Sequence, residues 1–127
     1  MYSCMVNKAN KWEEKVKTIF VISNFGQIDL LNEMKRVRHS VKITDLKSLT
    51  WIHDDVDHDS QEISINSKTS HDYKVYCNNI DEKEQIFSAL KYLYWKVNGI
   101  NLPIYAVPKS LIKLYFNSKG VDRYQRA

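Results

Sequence analysis

The stretch Gln27–His39, QIDLLNEMKRVRH, sets how the rest of the chain is read. Ile28, Leu31, Met34 (or the aliphatic stem of Lys35) and Val37 recur at intervals of three, one stripe of a helix. Asp29 and Glu33 come early, and Lys35, Arg36 and Arg38 come late, the order that complements a helix dipole. The spacing predicts a helix. Everything before and after it is then arranged around a strand–helix–strand opening.

Upstream, KVKTIFVIS (Lys15–Ser23) is β-branched and aromatic and ends at Asn24-Phe25-Gly26, which predicts a buried central strand. A helix through Trp12, Val16, Ile19 and Phe20 competes with it and would give a winged-helix arrangement, with Glu62–Cys77 as the wing. Residues 1–14 are expected to be a tail or short helix. Downstream, LKSLTWIH (Leu46–His53), QEISIN (Gln61–Asn66) and HDYKVYC (His71–Cys77) predict three strands. DEKEQIFSALKYLYWKV (Asp81–Val97) predicts the clearest helix. Asp81 and Glu84 form a capping-box-like start, Ile86, Leu90, Leu93, Tyr94 and Val97 form its apolar stripe, and Asn98-Gly99 stops it. NLPIYAV (Asn101–Val107) alternates like a strand, with Pro103 marking an edge, and Pro108 opens a last helix, KSLIKLYFNS, closed by Gly120.

The order β-α-β-β-(β)-α-β-α predicts an α+β, ferredoxin-like (split βαβ) antiparallel sheet. Two helices lie on one face and a C-terminal helix is added. The domain is expected over residues 15–107, with 108–127 as a C-terminal helix and basic tail.

At 127 residues the chain holds one core, and 43% hydrophobic residues are enough to fold it. With 3 Gly and 2 Pro there is no glycine-rich phosphate loop. The longest apolar run, Ile19–Ile22, is far short of a membrane span, and no membrane partner is expected. Cys4 and Cys77 lack metal-ligand spacing, which points to reduced thiols in an intracellular protein, cytoplasmic or nuclear. The formal net charge of +4 is unevenly spread. Residues 1–44 carry 8 basic and 4 acidic groups, 45–84 carry 4 and 10, and 85–127 carry 7 and 1. A positive face with an acidic lobe held apart from it suits phosphate or an acidic partner.

From His71 onward, HDYKVYCNNIDEKEQIFSALKYLYWKVNGINLPIYAV resembles the second half of an RNA recognition motif: a strand, an acidic helix start, Ala89-Leu90, Asn98-Gly99 and a short last strand. At the front, IFVISNF (Ile19–Phe25) is similar to that family's first signature, with one residue too many before Asn24. The resemblance spans roughly residues 17–107. It implies single-stranded RNA stacked on an open sheet face. The third-strand signature departs from the family's, because Tyr73 and Tyr76 are three apart and cannot share a face of a regular strand. With Val75 and Cys77, Ile19 and Val21, and Ile104 pointing to the core, the resemblance leaves Phe20, Lys74, Tyr76 and Tyr105 as the stacking platform.

The run KRVRHSVK places Lys35, Arg36, Arg38, His39 and Lys42 together for phosphate contact, and Lys109 and Lys113, four apart, extend the patch. WIHDDVDHDSQE (Trp51–Glu62) packs two histidines and four aspartates into seven residues, yet fits no metal template. A calcium loop begun at Asp55 would need Gly where Ser60 stands and Glu where Asn66 stands. His53 and His58, four apart without a helix, have no fixed zinc geometry. Asp54, Asp55, Asp57 and Asp59 are read instead as a solvated lobe that contacts a protein partner.

These readings converge on a small non-enzymatic protein with no cofactor or metal. It is expected to bind nucleic acid, RNA rather than DNA, through the sheet face and basic flanks. The alternative is a protein-interaction module or inhibitor that binds a component of a nucleic-acid machine through its acidic lobe or last helix.

Overall fold

The computed structural model describes residues 2–9, 15–23, 26–54, 61–69 and 71–111. They form eight strands and one α-helix: β1 (Tyr2–Ala9), β2 (Lys15–Ser23), β3 (Gln27–Leu31), β4 (Val37–Lys42), β5 (Leu46–His53), β6 (Gln61–Ser67), β7 (Tyr73–Cys77), α1 (Ile80–Asn98) and β8 (Ile104–Pro108). Short 3-10 turns at Ile43–Asp45 and Lys109–Leu111 follow β4 and β8. The strands hydrogen-bond in the order β4-β3-β2-β1-β7-β6-β5-β8. Every pairing is antiparallel except β5 with β8. This is not the ferredoxin-like plan. The sheet has eight strands, and among the described residues it has one α-helix instead of two on one face.

The difference begins at Gln27–His39, which is a hairpin. Asn32 closes it. Its side-chain Oδ1 accepts from the amides of Met34 (2.9 Å) and Arg36 (3.0 Å), and its own N–H donates to Arg36 O (2.9 Å). Lys35 takes a left-handed φ of 63° that reverses the chain. A period of two therefore replaces the period of three. Ile28 and Leu30 point inward opposite Ile22 and Phe20, whereas Met34 and Val37 are exposed. The dipole-like charge order is a consequence of loop composition.

The N-terminal segment, expected as tail or short helix, is strand β1, and it joins two meanders by pairing with both β2 and β7. β2 and β5 have the bounds their sequences predict, and Pro103 does precede an edge strand. Parity on β2 is the reverse of that expected. Thr18, Phe20 and Ile22 are buried, while Ile19 and Val21 are half-buried. Four consecutive apolar residues carry no parity signal, so only the register Phe20↔Leu30 decides it. The proposed last helix from Pro108 is, where described, the end of β8 and one 3-10 turn; the remainder lies outside the described residues.

α1 is helical where expected, but its cap is Asn79, not Asp81. Asn79 Oδ1 accepts from Glu82 N at 2.8 Å, and Glu82 Oε1 accepts from Asn78 N at 3.1 Å. Gly99, at φ 74°, closes the other end by donating to Trp95 O. Ile86, Phe87, Leu90 and Tyr94 complete a core with Phe20, Ile28, Leu30, Leu49, Ile63, Ile65 and Val75. Lys83 is also buried. Its ammonium sits 3.7 Å from the centre of the Trp51 ring and pairs with Glu84 at 2.7 Å. Both cysteines are free thiols, and burial pushes the Cys77 thiol up to about 12.

The other face of β5 and β6 carries a buried polar ladder. Asn66 Nδ2 donates to Ser48 Oγ and Thr50 Oγ1, both at 2.9 Å, and Asn66 Oδ1 accepts from Ser64 Oγ at 2.8 Å. The cross-strand register Ser48↔Asn66 and Thr50↔Ser64 puts these four side chains together.

Candidate functional site

α1 covers the strand ends at Tyr2, Ser23 and Gly26. Tyr2 Oη donates to Gln85 Oε1, and Val97 lies against Gly26. The opposite ends of β1 to β4 carry Lys8, Lys15 to Lys17, Leu31 and Val37 to His39. Between them opens a cavity of about 210 Å³ lined by nine residues, among them Lys8, Lys17, Asn32, Arg38 and His39. Its floor is made by buried Leu30 and buried Thr18, whose hydroxyl donates to Val16 O. Lys8 follows buried Val6 by two residues on β1 and stands opposite buried Val75 on β7, so it lies on the inner face of the sheet. His39 faces the same way because it stands opposite Leu30.

The electrostatics are one-signed. Burial pushes the Lys8 ammonium below its ordinary value. His39 is held below the usual histidine range, first by burial and then by the charges of Lys8, Arg38 and His71. Its ring is tilted against Tyr73 with centroids 4.8 Å apart, and Lys8 Nζ sits 5.8 Å from the same Tyr73 ring. Around the mouth stand exposed Lys15, Lys35 and Arg36 together with exposed Val16, Met34 (74% exposed) and Val37. A concavity with several cations on its lining attracts negative charge.

The residues expected to act together are dispersed. Phe20, proposed for base stacking, is 0% exposed in the core. Tyr76 and Tyr105 are half-buried on β7 and β8, with β6 and β5 between them. Lys15 Nζ lies 4.4 Å from the Tyr76 ring centre, and Lys74 pairs with buried Glu62 at 3.5 Å. Of the basic residues singled out in the sequence, Arg38 lines the cavity and Lys35 and Arg36 flank it in the turn. Lys42 is at the far end of β4 beside Gln27. Lys109 meets Asp54 at 4.0 Å. Lys113, Asp55, Asp57 and Asp59 lie outside the described residues. Lys8 and Lys17 were missed. For Lys8 the one signal is alternation along β1, two residues after buried Val6; Lys17 has the outer parity of β2, next to buried Thr18, and no sequence signal marks it.

No protein-family model matches the sequence, and no curated protein sequence does. Solved structures do. The PH domain of human oxysterol binding protein-related protein 11 superposes with a TM-score of 0.58 at 16% identity, covering 79% of this chain and 87% of that one. The PDZ-RhoGEF DH/PH domains in complex with GTP-γ-S activated RhoA give 0.55 at 10% identity, covering 77% of this chain and 30% of that one. The p115-RhoGEF linker-DH/PH domains give 0.53 at 10% identity, covering 81% and 30%. The fold is that of a PH domain. This overturns the likeness to an RNA recognition motif and, with it, the expectation of RNA binding. Phe20, which such binding would use to stack a base, is buried in the core.

Proposed function

We propose that this chain is a non-catalytic interaction module that docks the cavity at the ends of β1 to β4 onto a phosphate-bearing membrane surface. The observation that carries the reading is the convergence of Lys8, Lys17, Arg38 and His39 on one cavity. Lysine supplies point charges and arginine a flat fork of donors, a combination suited to phosphate oxygens. Val16, Met34 and Val37 stand exposed among those cations. Apolar tips ringed by basic groups suit the boundary between lipid headgroups and acyl chains. No helix among the described residues is long and apolar enough to cross a membrane, so the contact proposed is with its surface. The PH-like fold supports a protein- or lipid-interaction module in general terms. The sequence reading expects no membrane partner; this proposal departs from it on the cations and exposed apolar tips gathered at one end of the sheet.

A protein partner is favoured at a second place. Tyr92, Trp95 and Ile100 are exposed along and just beyond the outer side of α1, beside Lys91 and Lys96. Exposed aromatic groups of this kind are common anchors of protein interfaces.

Co-sedimentation separates the two. The full chain should pellet with vesicles carrying phosphorylated inositol lipid and not with neutral vesicles, and Lys8→Gln with Arg38→Gln should abolish it. A Tyr92→Ser, Trp95→Ser variant should keep vesicle binding. Equal binding to neutral and phosphorylated vesicles would refute the docking end proposed.

A further inference from the structure

The cavity holds one group whose charge changes near neutral pH, and its surroundings set which way it responds. Four elements bring charged or titratable side chains to His39. β4 carries it next to Arg38, β1 brings Lys8 and β2 brings Lys17. The β6–β7 connection and the start of β7 bring His71, Asp72 and Tyr73. The acidic groups nearby on the chain are engaged elsewhere or lie on the rim. Asp72 Oδ1 accepts from Ser67 N at 3.0 Å. Asp29 Oδ1 accepts from Ser40 Oγ at 2.6 Å and Gln27 Nε2 at 2.8 Å. Glu33 is exposed in the β3–β4 turn. His39 itself is half-buried, set against the Tyr73 ring, with a wall of fixed positive charge in front of it.

We infer that the docking site is proton-linked: His39 takes up a proton as an anion enters the cavity, so acidification strengthens binding. The inference rests on the anion site proposed above. Without an anion, burial and then the charges of Lys8, Arg38 and His71 disfavour a positive charge on the ring and hold His39 below the usual histidine range. An anion reverses the local field. The imidazolium then gains a counter-charge, and both of its ring nitrogens are donors. By linkage, whatever favours the protonated ring is itself bound more tightly by the protonated protein. The effect spans the interval between the depressed value of the free protein and the raised value of the complex. Within it, one coupled proton changes affinity by up to about tenfold per pH unit.

The probe must not titrate itself, which excludes phosphate and favours inositol hexasulfate, whose charge is constant through this range. Calorimetry of the full chain in two buffers of different ionisation enthalpy should show net proton uptake. Affinity should rise about tenfold between about pH 8 and about pH 5.5. His39→Gln keeps a planar polar side chain without the titration, and it should bind with nearly constant affinity and no uptake, while His71→Asn should retain most of both. In the wild-type chain the His39 ring resonances, followed by NMR, should titrate at higher pH with the probe than without it. A pH-independent affinity, or proton uptake undiminished in His39→Gln, overturns the inference and leaves the anion site standing. No binding at any pH overturns the site and the inference together. Vesicles containing a sulfated lipid, run alongside, distinguish a headgroup layer from a free polyanion as the source of charge.

Discussion

Replacing Phe20 by alanine separates the two sheet parities most sharply. Phe20 is 0% exposed, lies across from Leu30 on β3 and Cys4 on β1, and belongs to the central cluster. Deleting a buried aromatic ring removes its transfer free energy and leaves a cavity that close packing does not refill, typically costing about 3–5 kcal/mol. Against a total stability of about 5–15 kcal/mol for a domain, that is a large fraction. At about 4 °C per kcal/mol for a chain of this size, Tm should fall by about 12–20 °C. Val21→Ala, one residue along and half-buried, is the comparator and should cost less than about 1.5 kcal/mol. Urea unfolding followed by far-UV circular dichroism measures both, with an unchanged m-value confirming that the native and unfolded states are comparable. The opposite ranking, with Val21→Ala severe and Phe20→Ala mild, would put odd-numbered β2 residues inside and refute the sheet register.

Two further substitutions test the ladder and the helix cap. Asn66→Ala removes three buried hydrogen bonds, to Ser48, Thr50 and Ser64, and should cost about 2–3 kcal/mol in urea unfolding; a loss under about 0.5 kcal/mol would mean the ladder is not structural. Asn79→Ala should destabilise by about 1 kcal/mol and speed hydrogen exchange at the Glu82 amide, with Asn79→Asp restoring both. If Asn79→Ala leaves that amide protected, the helix begins elsewhere.

The contrast between α1 and Gln27–His39 shows which signals are local. In Ile80–Asn98 the apolar period, an adjacent Asn cap and the glycine stop all agree, so the helix is legible without its surroundings, apart from which residue caps it. In Gln27–His39 the apolar residues satisfy a period of three as well as a period of two. What settles the matter is an Asn32 side chain holding two amides and a partner strand, β2, waiting to pair with Ile28 and Leu30. The RNA recognition motif likeness failed for the same reason: it matched the order of elements from His71 onward, and that order is shared by unrelated sheets.

The sequence by itself determined a strand at Lys15–Ser23, three strands from Leu46 to Cys77, a capped helix after them and a short edge strand beyond. Each carries a signal in its own residues: β-branched runs, an Asn cap, a glycine stop and a proline before the edge strand. It also showed the uneven charge. Only the tertiary structure decided the first hairpin, the role of Tyr2–Ala9 as the strand joining both meanders, the inward parity of Phe20 and the site. Lys8, Lys17, Arg38 and His39 come from three strands and meet because β1, β2 and β4 end at the same mouth. Pairing between distant strands is chosen by the energy of the whole sheet, and no local pattern records it.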